Sequence, residues 1–396
     1  MLTDRRFAGL FWCQAFAAFN DNFLKSALII VLLYRHGPAA TPLVALAGGV
    51  FIAPFVFLSG IAGELADRID KARLATTLKR IEIAAAALAI AGVLLNSIPI
   101  LFAALFAFGV LAALFSPVKY GILPELLHPY ELPQANALID FATFLAILAG
   151  TALGAALGAT HPLWLAALVM LAALASYATA LRIPRPGAAQ PGLTLRANLA
   201  ASTRDLLRLL RVSPTLWRAA LVSTWFWFAG IIALTLLAPL LKLQLHRGPH
   251  AVTLALAIFS LGIGAGSFLA ARLLRGRLSL APALPASLAL GALLLLLGAA
   301  ISLHAIAFAL VLTLLFAIAA AGGLIAVPSL AMLQAHAPAE ARARIIAGAN
   351  VLNALAMITA SVALALLLHA QFTPSAILIG FGAATLVLSM AAALRR

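Results

Sequence analysis

Long apolar runs recur along this chain and constrain its fold more than any other sequence feature. A helix needs roughly 20 apolar residues to cross a bilayer. Hydrophobic residues make up 65% of the 396 residues and charged residues only 9%, whereas a soluble domain carries about 25% charged residues. Backbone groups in lipid need internal hydrogen bonds, which favours helices. The sequence therefore predicts an all-α membrane protein with twelve transmembrane helices. The runs lie near residues 7–34, 42–65, 74–95, 98–118, 136–158, 161–182, 215–241, 251–274, 280–302, 304–326, 343–368 and 373–394.

The basic charge of the chain follows the predicted topology. The formal net charge is +15, and most basic residues fall in loops on one side, while the other side holds only Arg35, Lys242 and Arg247. Because positively charged loops stay in the cytoplasm, we expect both termini to be cytoplasmic and expect no nucleic-acid partner. The single cysteine, Cys13, lies within the first run, so no internal disulfide can form.

The longest polar interval lies close to the middle of the chain. Residues 183–213 open with Pro184, Pro186 and Gly187, a composition typical of linkers, and continue into a segment where leucines oppose arginines at helical spacing. We expect a basic amphipathic helix there, on the cytoplasmic membrane surface. This linker would join two six-helix halves, residues 1–182 and 214–396, as in transporters built from two related repeats.

A polar stripe interrupts the first apolar run. Asp21 and Lys25 are four residues apart, so they share a helix face and can form an ion pair. Asn20 and Asn22 flank Asp21, and Gln14 lies two turns earlier. An ionised side chain at the centre of a span costs about 2.5–3.5 kcal/mol. The stripe is either a buried ion pair that locks helices together or a substrate site, and we favour the substrate site.

The fifth run carries a second polar group. Asn136, Asp140 and Thr143 fall on one helix face, and Asp140 is the second acid within a run. These residues either line a substrate cavity or tie to Lys119 at the cytoplasmic mouth, and the sequence leaves both alternatives open.

Two further patterns within the runs predict structural contacts. Gly150, Gly154 and Gly158 recur at four-residue spacing, which is typical of closely packed membrane helices. Glu82 lies one turn from Lys79 near a membrane end, and this spacing predicts a local ion pair.

The loop between the second and third runs carries a motif. It reads Gly63, three residues, Asp67-Arg68, and then basic residues. This pattern resembles the signature loop of the major facilitator superfamily. The resemblance implies the major facilitator fold, with Gly63 allowing close helix approach. It also implies that Asp67 faces a helix N-terminus across the interface of the halves, where the helix dipole favours negative charge. We expect Gly63, Asp67, Arg68 and Lys119 to form a gate.

Further segments narrow the resemblance. Residues 19–22, 116–126, 136–138 and 343–350 are similar to those of bacterial lysophospholipid transporters, including the transporter module that some bacteria fuse to a phospholipid acyltransferase. The resemblance implies flipping of lysophosphatidylethanolamine from the outer to the inner leaflet of the bacterial inner membrane, for re-acylation inside. It also implies a lysophospholipid substrate, membrane lipids as partners, and a cytoplasmic acyltransferase as a candidate partner.

The second half departs from some of these relatives, which carry charged residues inside the seventh and eleventh runs. Here Asn350 and Asn353 are the main polar groups of the eleventh run, and the seventh offers Trp225 and Trp227 at the depth of Asp21. One cavity wall would be polar and the other aromatic. A single-chain amphiphile fits both walls, with its headgroup on the polar wall and its acyl chain against the tryptophans.

Other functions find less support in the sequence. A glycerolipid acyltransferase of the usual type needs a His followed five residues later by Asp, and none of the eight histidines has one, so we expect no enzyme. His246 and His250 are separated by a Gly-Pro turn and lack a third ligand, so we expect no metal and no cofactor. The alternative is a proton-coupled exporter of amphiphilic drugs, with Asp21 or Asp140 as proton carrier. A scaffold that docks an acyltransferase is a third possibility, against which the intramembrane charges argue.

Overall fold

The computed structural model describes residues 1–36, 41–158, 160–195, 198–303 and 306–394. These residues fold into helices joined by short connections, and no β-strand occurs among them. The α-helices are α1 (Ala8–His36), α2 (Thr41–Arg68), α3 (Lys71–Leu94), α4 (Ile98–Leu126), α5 (Leu132–Leu157), α6 (Pro162–Ala180), α7 (Leu199–Arg211), α8 (Pro214–Pro239), α9 (Pro249–Leu274), α10 (Ala283–Ser302), α11 (Phe308–His336), α12 (Arg342–His369) and α13 (Pro374–Leu394).

Eleven stretches within the described ranges are long and apolar enough to cross a membrane, so the chain is a multi-pass membrane protein. The long helix outside this set is α3, whose 24 residues include Lys71, Lys79 and Glu82. All three side chains are buried, so α3 turns these charges into the protein, as intramembrane charges commonly do. The count of twelve spans, with α3 as the twelfth, stays a prediction.

Two helices run further than the apolar runs predicted. α4 continues past residue 118 to Leu126, although Pro117 and Pro124 lie inside it. α11 reaches His336 through Pro328. Proline is tolerated in membrane helices where neighbouring groups satisfy the freed backbone carbonyls. The extended ends carry polar residues that reach other helices.

The chain forms two compact units. Most of each unit comes from one half of the sequence, but the first part of α5 belongs with the later helices and the first part of α12 with the earlier ones. The division of the sequence at residues 182 and 214 stays a prediction. Unit 1 comprises Met1–His128, Leu145–Pro214 and His336–Ala354, and unit 2 comprises Pro129–Phe144, Thr215–Ala335 and Leu355–Arg396.

In unit 1, α1 is held between α6 and the second part of α5. α1 packs along α6, and α3 packs against α4 and α6. A Cβ built on Gly150 would lie 2.5 Å from the carbonyl oxygen of Phe19, and one on Gly158 would lie 2.9 Å from that of Ala27. The predicted close packing of Gly150, Gly154 and Gly158 is confirmed, and it brings α5 and the residue after its end against α1.

In unit 2, the core is apolar. α10 packs along α13, and buried leucines, isoleucines and phenylalanines of α8 to α11 form one cluster. Phe226, Phe259 and Leu294 are at most 9% exposed. Unit 2 is therefore held together mainly by apolar burial.

The linker helix α7 is amphipathic, and its apolar face packs against other helices of unit 1. Leu206 and Leu210 are buried, and Leu206 packs with Ala347 of α12. Ser202 donates a hydrogen bond to Glu64 of α2 at 2.8 Å. Protein therefore covers part of the apolar face of α7, and the position of this helix at the cytoplasmic membrane surface stays a prediction.

Candidate functional site

Asp21 and Lys25 are half-buried on α1, but each finds a different environment. Lys25 Nζ donates a hydrogen bond to Oδ1 of Asn22 at 3.1 Å and lies 5.5 Å from the ring centroid of Phe51. The amide of Asn22 is itself fixed, because its Nδ2 donates to the carbonyl oxygen of Ala18 at 2.8 Å. The Lys25–Asn22 hydrogen bond replaces the direct pair predicted from spacing, although Asp21 and Lys25 still interact electrostatically.

A second charged pair lies on α3. Lys79 Nζ is 2.5 Å from Oε2 of Glu82, and both side chains are 2% exposed. The ammonium also lies 4.2 Å from the ring centroid of Phe115 on α4. The predicted local ion pair is confirmed. Asp21 interacts electrostatically with both members, so the pair belongs to a larger group of charges.

Lys119 of α4 completes this group. It is 8% exposed, its Nζ lies 4.2 Å from the ring centroid of Tyr120, and it interacts electrostatically with Asp21. Lys119 therefore lies among the interior charges of unit 1, and its part in a gate stays a prediction. We call this group the charged cluster. Its members are Asp21, Lys25, Lys79, Glu82 and Lys119.

Two other residues of the polar stripe are buried more deeply. Asn20 is fully buried, and its Nδ2 donates to the carbonyl oxygen of Val169 on α6 at 3.1 Å. Gln14 is buried, and at seven residues from Asp21 it falls on the same side of α1. Asn20 therefore joins α1 to α6, and contact of either residue with substrate stays a prediction.

Unit 2 contains an apolar cavity of about 70 Å³. Phe226, Trp227 and Gly230 of α8 line it together with Phe144 of α5 and Phe259 of α9. All of its lining residues are apolar or aromatic, so it suits a hydrocarbon group. We call it the aromatic cavity.

The two predicted tryptophans differ in position. Trp227 lines the aromatic cavity and is 37% exposed. Trp225 packs instead against Phe228 and Phe381, with ring centroids 5.6 Å away in each case. Aromatic pairs at this separation stabilise packing, so Trp225 helps to hold α8 against α13.

The polar residues of α5 meet α11. Asn136 Nδ2 donates to Oε1 of Gln334 at 2.6 Å, and Gln334 Nε2 donates back to Oδ1 of Asn136 at 3.2 Å. Both side chains are fully buried. The sequence did not predict this reciprocal amide pair, and substrate binding by Asn136 stays a prediction. Asp140, one turn along α5, is half-buried, and its role in substrate binding stays a prediction.

The two asparagines of α12 belong to unit 1. Asn350 Nδ2 donates to Oγ of Ser116 on α4 at 2.9 Å. Asn353, one turn further, is buried. Asn350 therefore ties α12 to α4, next to the segment of α4 that carries Lys119.

Asp67 meets the N-terminus of α12. The carboxylate is fully buried, and it accepts hydrogen bonds from the backbone N–H groups of Ala343 at 3.0 Å and Arg344 at 3.1 Å. Arg344 Nε donates to it as well, at 3.1 Å. The first N–H groups of a helix lack partners within the helix and carry partial positive charge. Asp67 supplies those partners and a compensating charge.

Further charges surround this contact. Lys71 Nζ lies 4.0 Å from Asp67 and 2.6 Å from Oε1 of Glu125. Arg342 Nη1 lies 3.9 Å from the same Glu125 oxygen. We call this set the latch, because it joins α2, α3 and α4 to the start of α12. Its residues are Asp67, Lys71, Glu125, Arg342 and Arg344.

Close helix approach and the linker complete the latch. A Cβ on Gly63 would lie 2.8 Å from the Cβ of Ala347, so only glycine allows this separation of α2 and α12. Arg344 Nη2 donates to Oε1 of Gln190 in the linker at 2.7 Å. Arg68 ends α2 and is exposed. The contacts predicted for Gly63 and Asp67 are seen here, while gating by these residues stays a prediction.

Comparison with known proteins agrees with this geometry. The sequence model of the Major Facilitator Superfamily matches residues 10–361. The chain belongs to the major facilitator superfamily. The lysophospholipid transporter LplT of Salmonella newport (strain SL254) is 31% identical over 331 residues, which cover 81% of this chain and 77% of that protein. The predicted resemblance to the superfamily and to its bacterial lysophospholipid transporters is confirmed.

Solved structures share the major facilitator fold. The human organic anion transporter MFSD10 (TETRAN) superposes with a TM-score of 0.73 at 17% identity, covering 98% of this chain and 99% of that one. A bacterial homologue of the iron transporter ferroportin, in its outward-facing state, gives 0.74 at 17% identity and covers 96% of each chain.

Sequence reasoning missed several residues that form the buried polar contacts of this major facilitator protein. Gln334 and Arg344 were not singled out, because their partners lie far away in sequence. Lys79 and Glu82 were noticed only as a local pair. The available signal was their position eight or more residues inside α3, too far from its start for a loop ion pair.

In the part of the chain that the structure describes, no three His, Cys, Asp or Glu side chains are grouped so that they could hold a metal ion. The matching superfamily comprises transporters, not a catalytic family.

Proposed function

We propose that this protein transports lysophospholipid, with lysophosphatidylethanolamine as its main substrate, from the outer to the inner leaflet of the bacterial inner membrane. The observation that carries the proposal is the contrast between the charged cluster of unit 1 and the aromatic cavity of unit 2. The two surfaces match the two chemically different parts of a single-chain amphiphile. The name of the 31% identical relative, a lysophospholipid transporter, supports the same substrate class.

The headgroup binds at Asp21 and Lys25 in this proposal. The carboxylate of Asp21 accepts the ammonium of the headgroup, and Lys25 exchanges its hydrogen bond with Asn22 for one to the phosphate. Such charge-assisted hydrogen bonds are worth about 1.5–3 kcal/mol each. Lys25 is held by a neutral partner at 3.1 Å, so a phosphate is the stronger ligand.

The acyl chain binds against the aromatic surface of α8 and enters the aromatic cavity. Burying one methylene contributes about 0.8 kcal/mol, so even a short length of chain adds measurable affinity. A sugar would need polar groups on this surface, and the cavity lining offers none.

In this proposal, loop charge sets the orientation of the protein in the membrane, and the latch controls release of the substrate. Both termini and the linker lie in the cytoplasm, since charge asymmetry between short loops sets topology. The latch then closes the cytoplasmic end, and its opening releases the substrate to the inner leaflet. A cytoplasmic acyltransferase consumes the product.

The decisive experiment is lysolipid flipping in proteoliposomes that contain the purified protein. Wild-type protein should move lysophosphatidylethanolamine and should retain it in native mass spectrometry. Asp21→Asn should lower transport at least tenfold with unchanged folding, because it removes charge at constant shape. Asp205→Asn is the matched control, since Asp205 pairs with the exposed Arg208 on α7.

Two outcomes would contradict the proposal. A protein that flips no lysolipid, or an Asp21→Asn variant with wild-type rates, would exclude the headgroup assignment. Export of cationic amphiphiles that stops when the proton gradient is collapsed would favour the alternative, a proton-coupled drug exporter.

A further inference from the structure

The Lys79–Glu82 pair has an unused hydrogen-bonding atom. Glu82 is 1% exposed, its Oε2 meets Lys79 at 2.5 Å, and its Oε1 is buried without a hydrogen-bond partner. An unsatisfied buried acceptor costs about 1–3 kcal/mol, and more when it is charged. This oxygen is therefore available to accept a hydrogen bond from a donor that enters the cluster.

The pair lies between the latch and Asp21. α1 and α3 begin at the same end of unit 1, because Thr76 of α3 donates to the carbonyl oxygen of Ala180, the last residue of α6, and Gly9 of α1 lies against Arg182, two residues further on. At 1.5 Å per residue, Glu82 lies about 16 Å from the start of α3 and Asp21 about 20 Å from the start of α1. A headgroup that leaves Asp21 toward the latch therefore meets Glu82.

The surrounding charges suit a headgroup that carries both signs. The charged cluster contains two carboxylates and three ammonium groups, for a net charge of +1. A phosphate can take the place of one carboxylate at a lysine, and an ammonium can take the place of one lysine at a carboxylate. A zwitterion therefore enters without adding to the net charge of the cluster, and each of its two charges meets a group of opposite sign, which avoids the cost of burying an unpaired charge.

We propose that Lys79 and Glu82 form a second headgroup station, in which the free Oε1 of Glu82 accepts the primary ammonium of the lysolipid and Lys79 meets its phosphate. This inference rests on the proposed function and adds the residues that receive the headgroup after Asp21. Such a station would also discriminate between headgroups. A primary ammonium carries N–H donors for Oε1, whereas the trimethylammonium of a choline headgroup has none.

The test compares lysophosphatidylethanolamine with lysophosphatidylcholine of the same acyl chain, flipped by wild-type protein and by Glu82→Gln in proteoliposomes. Wild-type protein should prefer ethanolamine, and Glu82→Gln should lower that preference about tenfold, the value of one charge-assisted hydrogen bond. Glu64→Gln is the matched control. Glu64 is a buried carboxylate of the same unit, but it bonds Ser202 of α7, so the preference should not change.

The outcomes separate the two proposals. If wild-type protein flips neither lipid, the proposed function falls, and this inference with it. If wild-type protein flips both lipids without preference, or if Glu82→Gln keeps the preference, the second station alone is overturned.

A measurement on wild-type protein covers the case in which Glu82→Gln does not fold. Dicyclohexylcarbodiimide, which modifies buried carboxyl groups, is applied and the modification of Glu82 is followed by peptide mass spectrometry. Lysophosphatidylethanolamine should slow this modification at least tenfold and the choline analogue should not. Equal rates with and without lysophosphatidylethanolamine would overturn the second station.

Discussion

The two units of this protein bury opposite kinds of side chain. Among the described residues, every charged side chain in the buried class lies in unit 1, while unit 2 buries amides and hydroxyls beside its apolar core. The charged residues are Glu64, Asp67, Asp70, Lys71, Lys79, Glu82 and Lys119.

The two units thus separate buried charged side chains from an apolar interior. Burying charge is costly unless each group is paired, and unit 1 holds most of its buried charges in two sets, the latch and the charged cluster, while Glu64 and Asp70 accept hydrogen bonds elsewhere. Unit 2 keeps an apolar interior with the aromatic cavity. The division fits a substrate with a charged headgroup and a hydrocarbon chain.

The largest effect should come from breaking a buried pair of unit 1. Lys79→Met leaves the Glu82 carboxylate without its counter-ion and should lower stability by about 3–5 kcal/mol. The double variant Lys79→Met with Glu82→Leu should recover most of that loss, because it removes both charges. Thermal unfolding in detergent measures both variants. Arg208→Met, whose side chain is 72% exposed, is the control and should be near neutral. A double variant as unstable as the single one would contradict this reasoning.

The latch should control the rate of transport more than the affinity. Asp67→Asn weakens three hydrogen bonds at the start of α12 and should shift the balance of conformational states by about 2 kcal/mol. We expect transport to fall about tenfold or more while lysolipid binding persists. Distances between spin labels on α2 and α12 report the states. Lost binding with unchanged label distances would show that Asp67 serves the substrate site instead.

Substitutions at Asn136 and Gln334 test how much their reciprocal hydrogen bonds stabilise unit 2. Asn136→Leu removes both hydrogen bonds that join Asn136 to Gln334 and should cost about 1–3 kcal/mol of stability. Combining Asn136→Leu with Gln334→Leu should recover much of that loss, because both amides of the reciprocal pair are then removed together. Unfolding in detergent again measures both. If the double variant is stable yet its transport is slowed, the pair also acts in the conformational cycle.

The aromatic cavity can be filled without touching any charge. A Cβ on Gly230 meets nothing within 4 Å, so Gly230→Leu should place a side chain in the cavity at little cost in stability. We expect several-fold weaker binding of long-chain lysolipids and little change for short-chain ones. Gly380→Leu is the matched control, since Gly380 is an exposed glycine of α13 with equally open space. Equal losses for all chain lengths would argue against an acyl-chain site.

The smallest effect concerns the N-terminal segment, outside the spans. Arg6 Nη2 lies 2.7 Å from Oδ2 of Asp4, and this hydrogen bond holds the pKa of Asp4 below its usual value. A lowered carboxyl pKa stabilises the folded state above the ordinary pKa of about 3.9, and that contribution is lost as the pH falls through the folded pKa. Asp4→Asn should remove this slight dependence from melting curves below pH 5. An unchanged pH profile would show that the Arg6–Asp4 contact contributes no measurable stability.

Local patterns in the sequence account for much of the fold. Apolar length predicted the spans, the glycines at 150, 154 and 158 predicted the packing of α5 on α1, and the Gly63–Asp67 motif predicted a contact with a helix N-terminus. Each of these depends on the character of one segment. The ends of α4 and α11 were predicted too short, because proline does not end a helix that neighbouring helices support.

The sequence by itself thus determined that this is a helical membrane protein of the major facilitator superfamily with charges inside its first half. The tertiary structure decided which groups those charges meet. Spacing on one helix suggested Asp21 and Lys25 as partners, but Lys25 bonds Asn22, and Asn136 bonds Gln334, 198 residues away. Burial makes each polar group take the best partner within reach, and only the packed helices determine what lies within reach.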